Sequence, residues 1–221
     1  MEAPVTPYAL LCCNTYGGLS SDNAHPESAY RPFDKNRRGF VIGEGAGIVV
    51  MEPKERALAR GANIAAYISG YGTSCDGQNR IDPDPQGQQL ARAIKMALTD
   101  AGVTAEKIDY ISLDGLALDI WDNSEIEAIK NVFGKRVKDI PVSCPKSMFG
   151  NLLGASGAVD LIITILEMEN NLVAPTINLD TPDHPGLNYI MKEAKEHKIN
   201  KALIISRGRG GINSVLVVEK F

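Results

Sequence analysis

The sequence is poor in the residues that most soluble enzymes use for acid–base and metal chemistry. It has only three histidines, His25, His184 and His197, all in polar or proline-flanked surroundings, and none is expected to be catalytic. Its four cysteines, Cys12, Cys13, Cys75 and Cys144, lack metal-ligand spacing. The adjacent pair is poorly placed to chelate one ion, so the expectation is four reduced, buried, inert thiols, with no metal and no cofactor. An uninterrupted apolar run long enough to span a bilayer is missing. The first residues, Met-Glu-Ala-Pro-Val-Thr-Pro, also lack a basic stretch followed by an apolar core, which points to the cytoplasm. Charge of one sign is lacking too: a net charge of -4 gives no electrostatic case for nucleic acid or an anionic membrane as partner.

What is present is ordinary for a globular chain. The 221 residues are 44% hydrophobic and 23% charged, enough for a substantial core in one large domain or two small ones. No short-period repeat or low-complexity tract interrupts them.

One stretch stands out, Val142-Ser-Cys-Pro-Lys-Ser-Met-Phe-Gly-Asn-Leu-Leu-Gly-Ala-Ser-Gly. An apolar strand leads into a tight segment holding one cation, Lys146, and one amide, Asn151. A small-residue start to an apolar helix follows, where free N–H groups and close backbone approach are both available.

Upstream, a short helix is expected around Tyr8 to Tyr16, closed by Gly17-Gly18, and a strand buried on both faces over Ala46 to Met51. Glycines 43, 45 and 47 imply close backbone approach or a bulge; they lead into a strand rather than a helix and so are not a dinucleotide fingerprint. A helix over Pro53 to Arg60, a strand over Ala62 to Gly72 and a polar loop over 73–87 come next. Apolar residues at 90, 93, 94, 97, 98 and 101 follow the helical period, predicting a helix over Gln88 to Ala101 that Gly102 ends. Ile108 to Leu113 reads as a strand. Ser124 and Glu127 read as a capping box for a helix over Glu125 to Phe133. Ile140 to Ser143 is the next strand and Ala155 to Asn170 the next helix; strands Ala202 to Ser206 and Ser214 to Val218 then pair through a glycine-rich turn. Strands alternating with helices predict an α/β fold with a mostly parallel sheet covered on both faces.

Three stretches carry a resemblance: Arg31-Pro-Phe-Asp with Gly39-Phe-Val-Ile-Gly-Glu-Gly-Ala-Gly, the Val142 to Gly157 segment, and the closing Gly208-Arg-Gly-Gly-Ile-Asn. Together they resemble the β-ketoacyl synthases, the decarboxylating condensing enzymes of fatty acid and polyketide synthesis. The resemblance implies a thiolase-like layered α-β-α-β-α fold. Residues 1–80 would be the end of the N-terminal half and 81–221 a complete C-terminal half.

Active members of that family use a cysteine and two histidines. The resemblance places Asp114 at the first histidine and Asn151 at the second, with Lys146, Asp122 and Glu125 retained. Decarboxylation of a malonyl thioester builds negative charge on an oxygen that the imidazoles stabilise by donating hydrogen bonds. Asparagine can donate; an ionised aspartate cannot, and could instead pair with Lys146. Loss of one such donor typically costs about 10²–10³ in rate.

The family nucleophile lies upstream of everything present, so neither Cys12 nor Cys13 corresponds to it, and a separate chain is expected to supply the missing half. Arg207 and Arg209 fall where the family carries aromatic residues that gate the acyl pocket. They could close the pocket, bind a carboxylate or phosphate, or form structural salt bridges. Met148 and Phe149 are candidate tunnel residues, with ordinary core packing as the alternative. The function this implies is a chain length factor, the non-catalytic subunit that pairs with an active ketosynthase in a type II polyketide synthase and works with an acyl carrier protein. A split synthase completed by another chain and a carrier-protein scaffold are the alternatives.

Overall fold

Alternating apolar residues near the C-terminus build the middle of the sheet, and the helices are laid on its two faces. A computed structural model describes all 221 residues. In chain order the elements are α1 (Pro7–Thr15), α2 (Lys54–Ala59), β1 (Ala66–Cys75), α3 (Gln88–Asp100), β2 (Tyr110–Ser112), α4 (Asp119–Phe133), β3 (Pro141–Ser143), α5 (Lys146–Phe149), α6 (Ser156–Asn170), β4 (Leu172–Val173), β5 (Asn188–Tyr189), β6 (Lys195–Glu196), β7 (Lys201–Gly208) and β8 (Ile212–Lys220). Six strands form one sheet in the order β1-β8-β7-β2-β3-β5, and β4 pairs with β6 separately. No helix is long and apolar enough to cross a membrane.

The sheet is mixed rather than mostly parallel. β7, β2, β3 and β5 run parallel, as strands joined through helices must, whereas β8 turns back from β7 and pairs antiparallel with both β7 and β1. Along the central strands the side chains separate by the two-residue period. Leu203, Ile205, Val215 and Val217 face one core, with Leu90 and Ile94 of α3 and Ile126 and Ile129 of α4. Ala202, Ile204 and Val218 face the other, with Leu161 and Met168 of α6.

α3 matches its predicted period: Leu90, Ala93, Ile94, Ala97 and Leu98 are all buried. It lies hard against β1, where a methyl group added at Gly72 would stand 2.0 Å from the Ala93 carbonyl oxygen. Gly72→Ala should therefore destabilise the fold by about 1–3 kcal/mol through overpacking, read as a lower urea midpoint. An unchanged midpoint would mean that β1 and α3 separate at little cost.

Three expectations are corrected. Ala46 to Met51 is not a strand buried on both faces: it is extended without sheet pairing, and Ile48 and Val50 are each 89% exposed. Neighbouring backbone makes only isolated bridges, Ile42 with Asn151 and Gly45 with Glu2, so no strand of this chain covers it. The glycines before it do mark close approach, since a methyl group at Gly43 would lie 2.3 Å from the Phe149 carbonyl oxygen. The expected capping box does not form, because α4 starts at Asp119 and Ser124 is buried inside it, its hydroxyl donating to the Asp84 carbonyl at 2.6 Å. β1 begins later than expected and runs on through Cys75, held in register with β8 as far as Ile212, so the polar loop is shorter.

Candidate active-site cleft

β2 and β3 are parallel neighbours, and their C-terminal ends deliver the two charged residues of the site side by side. Past β2 the chain passes Asp114 and then Gly115 and Ala117, both with positive φ, before entering α4. Past β3 it enters α5 at Lys146. The Lys146 ammonium donates to Asp114 Oδ1 at 2.8 Å and to the Asp114 carbonyl at 3.1 Å, and lies 3.0 Å from Asp160 Oδ2. Lys146 is fully buried. Burial pulls its pKa down, but the charges of Asp114 and Asp160 outweigh that and hold it above the usual lysine range. Burial raises the Asp160 carboxyl even with Lys146 beside it.

The acidic pair of α4 shapes the backbone around Asp114. Glu125 accepts the Asp114 N–H at 2.8 Å and the Gly115 N–H at 3.0 Å. Asp122 accepts the Leu116 N–H at 3.0 Å and the Phe33 N–H at 2.8 Å, and lies 3.5 Å from buried Arg37. Burial, reinforced by the charge of Asp114, pushes Glu125 up to about 8. Burial pushes Asp122 up to about 7 against the N–H groups and Arg37 that favour its charged form.

Asn151 sits just past Gly150, whose φ of 88° makes the turn. Its backbone is clamped to the glycine-rich stretch: its N–H donates to the Val41 carbonyl at 2.8 Å and its carbonyl accepts from Gly43 at 2.9 Å. Its side-chain oxygen accepts from the Leu153 N–H at 2.9 Å and the Ser156 hydroxyl at 3.4 Å. Its NH₂ makes no bond within the chain.

Asp114 and Asn151 line one cleft of about 360 Å³, together with Arg207, Arg209, Trp121 and Leu116. The remaining site candidates, Met148 and Phe149, are on α5 outside this lining, and Met148 is largely exposed.

The two arginines have different surroundings. Arg207 is buried: it donates to Asn213 Oδ1 at 3.0 Å, the Trp121 carbonyl at 3.0 Å and Ser124 Oγ at 3.2 Å, and stands 3.6 Å from Asp76. Arg209 is exposed, with its guanidinium 3.5 Å from the centre of the Tyr16 ring.

No histidine lines the cleft. His184 bonds Asn123, His197 bonds the Asp109 carbonyl, and His25 is exposed. The cysteines also differ from expectation: all are free, but only Cys144 is buried, Cys75 is exposed and Cys12 and Cys13 are half-buried because α1 buries none of its residues. Cys144 Sγ lies 3.5 Å from the Asp114 carbonyl, and burial pushes its thiol up. Asp160 is the site residue that sequence reasoning missed. Its signal was a stripe of Ser156, Asp160, Thr164 and Glu167 at helical spacing, all buried on α6.

This order of elements, with the charged residues at the ends of two parallel strands, is matched by known sequences. The family described as Beta-ketoacyl synthase, C-terminal domain matches residues 65–180, and Beta-ketoacyl synthase, N-terminal domain matches residues 1–57. The chain belongs to the β-ketoacyl synthase family.

Among β-ketoacyl synthase relatives, 3-oxoacyl-[acyl-carrier-protein] synthase 2 of Staphylococcus aureus (strain COL) is 43% identical over 221 residues, covering 100% of this chain and 53% of that protein. A solved type II polyketide synthase acyl-carrier protein in complex with its ketosynthase, bound to the hexaketide, superposes with TM-score 0.95 at 38% identity, covering 100% of this chain and 54% of the other. The ishigamide ketosynthase/chain length factor superposes with TM-score 0.90 at 36% identity, covering 100% and 52%. The chain thus has the thiolase-like ketosynthase fold and spans about half the length of the curated relatives it matches.

Proposed function

We propose that this chain is the non-catalytic, chain length factor-like subunit of a type II polyketide synthase, pairing with an active ketosynthase and served by an acyl carrier protein. The observation that carries this is the buried Asp114–Lys146 pair, at 2.8 Å, where the family resemblance expects the first imidazole donor. A carboxylate engaged with lysine presents oxygen, not an N–H, and cannot donate to the oxygen that gains charge in decarboxylation. The cleft contains neither a histidine nor a cysteine of this chain. Similarity to the ishigamide ketosynthase/chain length factor supports the same reading. The exposed apolar segment Ile48 to Met51 supports a partner chain lying against it, supplying the half that the matched relatives carry in addition.

A second reading, a split synthase completed by another chain, is favoured by 43% identity to a 3-oxoacyl-[acyl-carrier-protein] synthase 2 and by the retained Lys146, Asp122 and Glu125. Asn151→Asp separates the two in the natively purified assembly, since it keeps an oxygen that accepts from Leu153 and replaces the NH₂ donor by an anionic oxygen that cannot donate. As a non-catalytic subunit the variant should leave malonyl-thioester decarboxylation unchanged. A fall of about 10²–10³ would instead assign Asn151 to the oxyanion site and move the split synthase to first place. Intact mass spectrometry of the same assembly should show a separate cysteine-bearing ketosynthase, and its absence would count against the subunit reading.

A further inference from the structure

The polar stripe of α6 continues well beyond the charged pair, and most of it has nothing to bond. Ser156, Asp160, Thr164 and Glu167 are all buried. Steps of four, four and three residues put them on one helical face, with neighbouring Cβ atoms about 5–6 Å apart. Ser156, at the cleft end, is satisfied: its hydroxyl accepts from the Leu152 N–H at 3.1 Å and donates to the Asn151 side-chain oxygen at 3.4 Å. The other three are not. Asp160 Oδ2 stands 3.0 Å from the Lys146 ammonium, yet neither of its oxygens has a hydrogen bond of good geometry within the chain. Thr15 and Thr99 turn their hydroxyls back onto the carbonyl four residues earlier, each at 2.8 Å, whereas the Thr164 hydroxyl has no partner in the chain. Glu167 Oε1 accepts the Ala174 N–H at 2.8 Å and lies 3.4 Å from the Tyr110 hydroxyl, but Oε2 meets no donor of the chain. Leaving such groups buried and unbonded is costly. They cannot serve one another directly, because Asp160 and Glu167 are separated by about 10 Å of helix rise. One water with two bonds of about 2.8 Å spans about 5.6 Å, the spacing between neighbours on this face. A metal ion fits less well: Lys146 already supplies positive charge beside Asp160, and no group of three His, Cys, Asp or Glu side chains is gathered to hold one.

We propose that α6 holds a file of internal water, one molecule bridging Asp160 to Thr164 and a second bridging Thr164 to Glu167 Oε2. The file lies behind the Asp114–Lys146 pair and reaches toward Tyr110 through Glu167. It supplies the donors that the two acids lack, and donors to a carboxylate favour its charged form inside the protein. The site goes beyond the subunit reading, because its three residues belong to one helix of this chain and none of them lines the cleft.

A crystal structure of the natively purified assembly, at a resolution that shows ordered water, tests this. Both molecules should lie within hydrogen-bond distance of the Thr164 hydroxyl, one also touching Asp160 and the other Glu167. Crystals soaked in rubidium chloride should show no anomalous peak at either place. Thr164→Val gives an independent answer in solution, since it keeps the shape of the side chain and removes only the hydroxyl. If that hydroxyl holds water, the urea midpoint should fall, because the water loses a partner; if it is dry and unbonded, deleting it should raise the midpoint. A stripe found dry, a rubidium peak in place of water, or a midpoint that holds or rises in Thr164→Val would overturn the proposal. If the variant does not fold, the crystal structure of the unaltered protein decides alone. None of these readouts involves decarboxylation or a ketosynthase, so the subunit reading can fail while the water file stands.

Discussion

Replacing Lys146 by methionine should lower the stability of the folded protein by about 3–5 kcal/mol, the usual cost of removing one partner from a buried ion pair. Lys146 is fully buried and is shared by two carboxylates, Asp114 at 2.8 Å and Asp160 at 3.0 Å. Without it two buried acids face each other with no cation between them, and both Asp160 oxygens already lack any other hydrogen-bond partner. Asp114→Asn should cost much less, because Lys146 keeps Asp160 and an amide oxygen at the same place. Adding Asp160→Asn to Lys146→Met should return part of the loss. Chemical denaturation of the three variants beside the wild type checks the order. A Lys146→Met protein as stable as wild type would mean that the acids take up protons at negligible cost, and that the pair is not an anchor of the site.

Stability should also fall as pH rises from about 5 to about 8. Glu125 is pushed by burial from the ordinary value of 4.5 up to about 8, and Asp122 from 3.8 up to about 7. An acid whose folded pKa is raised binds protons more readily in the folded state than in the unfolded chain. Its contribution is present in full below the unfolded pKa and is lost as pH climbs through the folded one. Each such group changes stability by at most about 1.4 kcal/mol per pH unit inside its window, so the slope is steepest where the two windows overlap, below about pH 7, and shallower above it. Glu125→Gln cannot titrate and should flatten the upper part of that slope. The check is the denaturation midpoint of wild type and variant at several pH values. A midpoint that rises with pH over this interval, or a slope unchanged in Glu125→Gln, would show that the N–H groups of Asp114 and Gly115 hold the carboxylate charged.

The sequence revealed those parts of the molecule in which local pattern and final environment agree. The period of α3, the hairpin of β7 and β8 and the close approach at Gly43 were legible because the adjacent residues themselves set them. The pairing of Asp114 with Lys146 was legible as a possibility, because the family resemblance places Asp114 at the first histidine with Lys146 retained beside it. Asp160 was not. The apolar positions of α6 define an expected inner face, but the helix also buries Ser156, Asp160, Thr164 and Glu167, while Leu166 is half exposed. Periodicity identifies the stripes of a helix and not which of them meets the protein. Ile48 to Met51 failed for a related reason: an apolar run announces a strand, but burial needs a neighbour that these residues do not supply. The division of labour between Arg207 and Arg209 depended on Asp76, Ser124 and Asn213, which come together only in three dimensions.

The strand order carries a consequence for how the chain is made. β7 and β8 lie far along the chain from β1 yet sit inside the six-stranded sheet, and Ala66 at the start of β1 is matched with Lys220. Until Lys201 to Lys220 have been made, β1 has no partner and β2 lacks one of its two neighbours. Contacts this distant in sequence close slowly, and hydrophobic strands left waiting for them are open to wrong pairing. A nascent chain that stops short of Lys201 therefore leaves β1 and one edge of β2 unpaired, and the sheet closes only once β7 and β8 have been made.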